Sequence, residues 1–132
     1  MDVDGDPISA CFGFSHAQAG EDMARHLIER GYQRFGLIGS QGGLDLRATK
    51  RFDAFSKIVT SLGAEVVARE NDIQASSMEA GRKMTSALLD APNPPDAIYY
   101  ANDDLAAGGL MHCLANGIDV PKEVALAGFN GL

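Results

Sequence analysis

Residues Ala97-Ile98-Tyr99-Tyr100-Ala101-Asn102-Asp103-Asp104-Leu105-Ala106-Ala107-Gly108 pass from an apolar strand directly into the polar opening of a helix. A strand followed at once by a helix is the unit of a parallel sheet, because parallel neighbours need a crossover connection. In open sheets of this kind ligands bind outside the carboxyl ends of the strands. Asn102 and Asp103 stand where a small molecule would be met. Both are also preferred N-cap residues, and a cap needs no ligand, so the local sequence leaves the two readings open.

The same order extends in both directions. Upstream, Ile8 to Phe14 reads as a short strand, and Ser15 with Gln18 forms a capping box that opens a helix. Its apolar positions Ala19, Met23, Ala24, Leu27 and Ile28 keep helical spacing, and Gly31 sits at the expected C-cap. Phe35 to Gly39 is a buried strand. The loop Ser40-Gln41-Gly42-Gly43 leads to Asp45 and a helix with the stripe Phe52, Phe55, Val59 and Leu62, ended by Gly63. Glu65 to Ala68 reads as a short strand. Ser76 with Glu79 opens a third helix carrying Ala80, Met84, Ala87 and Leu88, which Pro92, Pro94 and Pro95 stop. Beyond Asn102, a helix over Leu105 to Ala115 ends at Asn116-Gly117, and Val124 to Phe129 is a last strand.

Strict β-then-α alternation predicts an α/β protein: a three-layer α/β/α arrangement around a mostly parallel, doubly wound sheet. Residues 1–132 read as a single unit. No helix follows the final strand and the lead-in is short, so the chain reads as a fragment of a longer protein.

With 132 residues and 45% hydrophobic content the chain can bury a proper core. Its formal net charge of -7 opposes contact with phosphate backbones, so this segment alone is not expected to bind DNA. Cys11 and Cys113 lie in apolar surroundings without metal-ligand spacing, which fits reduced, buried thiols and a cytoplasmic setting. No secretory leader and no apolar run of bilayer length is visible, so no membrane is expected.

The glycine loop after Ser40 lacks both GxGxxG and GxxxxGK[ST], so a nucleotide is not expected. His16, His26 and His112 join no nucleophile or metal pattern, and Asp103-Asp104 lacks the further acids of a magnesium site. No cofactor, metal or catalytic residue is assigned. Arg47 and Arg51 are four residues apart on one helix face at the ligand end of the sheet. Cations there oppose the helix dipole at about 0.3–1 kcal/mol each. Either they meet an anionic or polyhydroxyl ligand through the guanidinium fork, or they belong to a solvated salt-bridge face with Lys50 and Asp53.

Four segments decide the wider assignment. The run Gly20 to Gly39, Arg51-Phe52-Asp53-Ala54-Phe55, Ala101-Asn102-Asp103, and Val124-Ala125-Leu126-Ala127-Gly128-Phe129-Asn130 resemble, in order, landmarks of the lactose-repressor/galactose-repressor family of transcriptional regulators. Ala54 replaces the glycine of that family's Arg-x-x-Gly-Phe. Gly13-Phe14-Ser15 with Gly20, and Asp45-x-Arg47 ahead of Arg51, resemble its gluconate-utilisation repressor branch.

The resemblance implies a two-lobed, periplasmic-binding-protein-like effector module with ligand between the lobes. This chain corresponds to the second lobe; the DNA-reading domain and most of the first lobe are absent. Carried over by position, Arg51, Asn102 and Asn130 would contact the effector, Phe14 would form an apolar wall, and Asp2 would lie at the inter-lobe crossing. Asn130 stands where many sugar-binding members have Asp, and Arg47 adds a cation, so the pocket favours a sugar acid such as gluconate. Asp103 is then assigned to capping, and Ala107, Leu110 and Met111 to a homodimer interface, with operator DNA reached only through the absent domain. The rival readings are a periplasmic-type solute-binding protein and a sugar-phosphate isomerase-like enzyme, the latter without a defensible acid–base pair.

Overall fold

The computed structural model of the chain describes residues 16–40, 46–72 and 78–128. Helices and strands alternate along it: α1 His16–Glu29, β1 Arg34–Ser40, α2 Leu46–Ser61, β2 Glu65–Asp72, α3 Met78–Leu89, β3 Ala97–Tyr100, α4 Asp103–Ala115 and β4 Ala125–Ala127. The described strands form one sheet in the order β2-β1-β3-β4, and every pair is parallel. This is the parallel α/β arrangement that the alternation required.

Period-2 geometry along β3 shows how the layers are divided. Tyr99 packs on Phe52 and Phe55 of α2, with ring centroids 5.3 and 4.9 Å away. Its neighbour Tyr100 points to the other face, where its hydroxyl pairs with Thr85 of α3 at 2.7 Å. Helices α1 and α2 pack together on the first face, and α3 and α4 on the second. All four β3 residues are buried, because helices cover both sides; hence the strand is a continuous apolar run rather than an alternating one.

Helix ends fall where the punctuation residues stand. Gly31 and Gly63 have φ of 99° and 88°, the left-handed region that glycine enters without a Cβ penalty. Several boundaries differ from expectation. Strand β2 continues to Asp72, well past Ala68, because it pairs with the full length of β1. Strand β4 is confined to Ala125–Ala127. Leu62 of the expected stripe is 53% exposed, since α2 stops at Ser61 and the following turn leaves the sheet. The expected strand over Ile8 to Phe14, the caps at Ser15 and Ser76, Cys11, and the end of the last strand at Phe129 lie outside the described residues.

Within each helical layer, glycine sets the approach. A Cβ on Gly20 would lie 2.1 Å from the Arg51 carbonyl oxygen, so α1 and α2 touch backbone to backbone. Gly81 and Gly108 do the same for α3 and α4: their Cβ atoms would lie 2.2 Å from Leu105 O and 2.0 Å from Met78 O. Gly109 faces the Tyr100 hydroxyl, where a Cβ would come within 2.0 Å. The run Gly108-Gly109 is thus packed inside the chain.

The Tyr100–Thr85 pair is a buried polar contact in an apolar layer. Burial drives the Tyr100 phenol well above its ordinary value, outweighing the hydrogen bond to Thr85. Tyr100→Phe strands the Thr85 hydroxyl and is expected to cost about 1–3 kcal/mol in chemical denaturation. The pH dependence follows from the sign of the shift. An unfolded tyrosine titrates near 10.0, whereas the folded phenol stays neutral there. The stability it contributes is therefore complete below that pH and is lost as pH rises through the alkaline range. Tyr100→Phe is expected to flatten that alkaline decline.

Candidate ligand-binding site

The chemistry-bearing residues of the described chain gather where β3 ends and α4 begins. Helix α2 lies on the Tyr99 face of β3, and its Phe52–Tyr99 contact carries the preceding residue, Arg51, to the carboxyl end of the strand. There the Arg51 Nη2 donates to the Ala101 carbonyl at 2.5 Å. Arg51 is only 3% exposed. Of the two readings open from sequence, the solvated salt-bridge face is excluded for this residue. That face belongs to Lys50 and Asp53, both exposed, and Asp53 pairs loosely with Arg69 at 3.9 Å. Such an exposed pair contributes little.

Asn102 is the N-cap of α4. Its backbone is extended, at φ -155° and ψ 173°, and its Oδ1 accepts from the Leu105 N–H at 3.0 Å. This corrects the assignment of the cap to Asp103. A capping side chain reaches forward from an extended residue to the N–H three positions on, whereas Asp103 is already the first helical residue. Asp103 and Asp104 instead place negative charge in the first turn, which suits the helix dipole. A carboxamide has two lone pairs and two donors, so capping and ligand contact are compatible roles for Asn102.

Strand β4 ends beside the same turn, for a Cβ on Gly128 would lie 3.4 Å from Asp103 Oδ1. Arg51, Ala101, Asn102, Asp103 and Gly128 thus share one edge of the sheet. Arg47 lies in α2 one turn before Arg51, with its side chain outside the described residues, as are Asn130, Phe14 and Asp2. Tyr99, which packs on Phe52 beside Arg51, was not singled out from sequence. The signal was present in the spacing, because residues 99 and 101 share the α2 face of β3.

Helix α4 is apolar on two sides. Leu105, Ala106, Gly109 and Cys113 are buried within the chain. Ala107 is half-buried, and Leu110, Met111 and Leu114 are exposed by 39%, 48% and 72% on the outer face. Leu114 extends the patch expected at Ala107, Leu110 and Met111 by one helical turn. Separately, a cavity of about 690 Å³ runs along the outer edge of β4 between α1 and α4, lined by Met23, Leu27, Leu110 and Leu126 among others. Neither Arg51 nor Asn102 lines it; among the described residues it borders β4, the last strand in the order of the sheet. Among the described residues there is no metal-capable group of three or more His, Cys, Asp or Glu side chains. No described helix is long and apolar enough to cross a membrane.

Comparison with known proteins agrees with this architecture. Residues 24–132 match the family described as periplasmic binding protein-like domain. The HTH-type transcriptional regulator GntR of Pseudomonas aeruginosa is 36% identical over 133 aligned positions, covering 100% of this chain and 38% of the relative. The HTH-type transcriptional regulator IdnR of Escherichia coli is 29% identical, with 100% and 39% covered. Among solved structures, a LacI family transcriptional regulator from Silicibacter pomeroyi superposes with a TM-score of 0.83 at 39% identity, covering 97% of this chain and 38% of that one. The transcription regulator GntR from Chromobacterium violaceum gives 0.80 at 37% identity, with 87% and 42% covered. The chain therefore spans little more than a third of the length of these relatives. It belongs to the periplasmic binding protein-like domain family, in the form carried by LacI-type transcriptional regulators.

Proposed function

We propose that residues 1–132 are one lobe of the effector-sensing part of a DNA-binding transcriptional regulator, and that its effector is a sugar acid of the gluconate type. The observation that carries the proposal is Arg51: a guanidinium buried at the carboxyl end of a parallel sheet, tied to the carbonyl that immediately precedes the Asn102 turn. Its acceptor at the end of β3, the Ala101 carbonyl, is neutral. A planar fork in this position suits a carboxylate or vicinal oxygens. Arg47, Asn130, Phe14 and Asp2 are proposed to complete the pocket, with Asn130 supplying no negative charge to oppose an acid. Operator DNA would be read by a domain outside this chain.

The link from effector to operator is proposed to run through α4. Asn102 caps this helix at the effector end, and the exposed Leu110, Met111 and Leu114 on its outer face would meet a second copy. A helix that is apolar on two sides normally buries both. Effector binding then biases dimer geometry by as much as its affinity differs between the two arrangements. Leu110→Glu is expected to weaken self-association of the full-length protein by tenfold or more, read by sedimentation; a variant that associates like the wild type removes α4 from the interface.

A thermal-shift screen of the full-length protein against sugars and sugar acids tests the effector class. A ligand present at about 100 times its Kd stabilises the folded state by about 2.7 kcal/mol. Gluconate-like acids are expected to raise the melting temperature. Stabilisation by neutral hexoses alone defeats the sugar-acid assignment.

A further inference from the structure

We infer that Gly20 is a positioning residue for Arg51: lacking a side chain, it lets α1 close onto the Arg51 backbone and holds that turn of α2 where the guanidinium reaches the end of β3. The inference rests on the reading that Arg51 meets the effector. Helix α1 ends before β1 starts and α2 begins after β1 ends, so both helices open at the carboxyl edge of the sheet. Gly20 and Arg51 lie in the second turns of the two helices, near that edge. The same face of α1 continues at helical spacing with Ala24 and Leu27, both buried. The smallest member of the series therefore stands at the ligand end.

Arg51 is met from two sides. On one, a Cβ on Gly20 would lie 2.1 Å from the Arg51 carbonyl oxygen and 3.0 Å from its Cα. On the other, the Arg51 Nη2 donates to the Ala101 carbonyl at 2.5 Å, and the Ala101 N–H donates to the Ile38 carbonyl of β1 at 2.9 Å. A methyl group at position 20 would meet backbone, which cannot rotate aside, so α1 and α2 would part by about 1 Å to restore ordinary contact. Ala101 is tied to β1 and does not follow. Bonds from N–H to carbonyl oxygen end near about 3.2 Å, so a shift of that size in α2 is enough to open the one between Arg51 and Ala101. A binding group works only while it is held to within about 0.5 Å of its productive place. The spacing of two helices thus sets the reach of the arginine.

The test compares wild type, Gly20→Ala, Arg51→Lys and the double variant as full-length proteins, with D-gluconate as the calorimetric probe and guanidinium nitrogen-15 spectra reporting on Arg51 itself. Gly36→Ala is the control, because its Cβ would crowd Leu88 and Pro95 at 2.8 and 3.2 Å on the α3 face, away from Arg51. Both alanine variants are expected to melt below wild type. Gly20→Ala alone should average the separate Arg51 Nη signals into one and weaken gluconate binding about tenfold. Lysine has a flexible stem and no planar fork, so in the Arg51→Lys background the loss should shrink to about twofold or less. Ala24→Val, which adds bulk one turn along the same face, should give the same pattern at smaller amplitude and serves if Gly20→Ala does not fold. Unchanged Arg51 signals, an equal loss of affinity in both backgrounds, or the same loss in Gly36→Ala overturns the inference. If the wild-type protein does not bind gluconate, the effector reading falls instead, and the Arg51 spectra alone decide the role of Gly20.

Discussion

Arg51→Ala is expected to weaken binding of gluconate by the full-length protein by about 10²- to 10⁴-fold. The estimate follows from losing two charge-assisted hydrogen bonds, about 1.5–3 kcal/mol each, at one tenfold step per 1.4 kcal/mol. Stability also changes, because the Nη2 bond to Ala101 disappears and leaves that carbonyl without this donor. That part should cost about 1–3 kcal/mol. The two effects separate when titration is carried out well below the melting temperature of the variant. Arg51→Lys keeps the charge but not the planar fork, so its affinity should fall between wild type and Arg51→Ala. If Arg51→Ala binds the acid as wild type does, the central role given to this side chain is wrong.

Gly108→Ala is expected to destabilise the chain by about 2 kcal/mol or more. Two effects oppose each other. Alanine gains about 1 kcal/mol over glycine in a helix interior. Against this, the new Cβ would lie 2.0 Å from Met78 O and 2.7 Å from Arg82 N. Both are backbone atoms of α3 and cannot rotate aside, so α4 must move bodily. Overpacking of this kind typically costs 1–3 kcal/mol and occasionally more, and clashes with backbone belong to the upper end. The steric term should win. Because α4 carries both the Asn102 cap and the outer apolar face, the same substitution should also impair self-association. Chemical denaturation checks the first effect and sedimentation the second; a neutral or stabilised variant would mean that the helices separate without cost.

The fold was legible because its determinants are local. Ala97 to Tyr100 is a continuous apolar run that only a strand covered on both faces tolerates, and Gly31 and Gly63 mark helix ends through a backbone conformation that other residues avoid. Arg51 was found from its position in the first turns of a helix, where a cation is costly. Its burial was not legible, since it depends on the end of β3 at Ala101, which is separated from it by 50 residues of chain. The cap at Asn102 was misassigned for a simpler reason: Asn102, Asp103 and Asp104 are all competent caps by composition. Only the point at which the backbone turns helical chooses among them. Tyr99 reads as core from sequence, and it packs as core against Phe52 and Phe55 once α2 is laid over β3.

Calorimetric titration of the full-length wild-type protein with D-gluconate and, in parallel, D-glucose tests the central claim most directly. The two ligands share their hydroxyl chemistry, and the acid alone carries the charge that Arg51 is proposed to meet. The account predicts saturable binding of gluconate, with glucose weaker by at least tenfold. Glucose binding as tightly as gluconate, or tightly while gluconate does not bind, would contradict it.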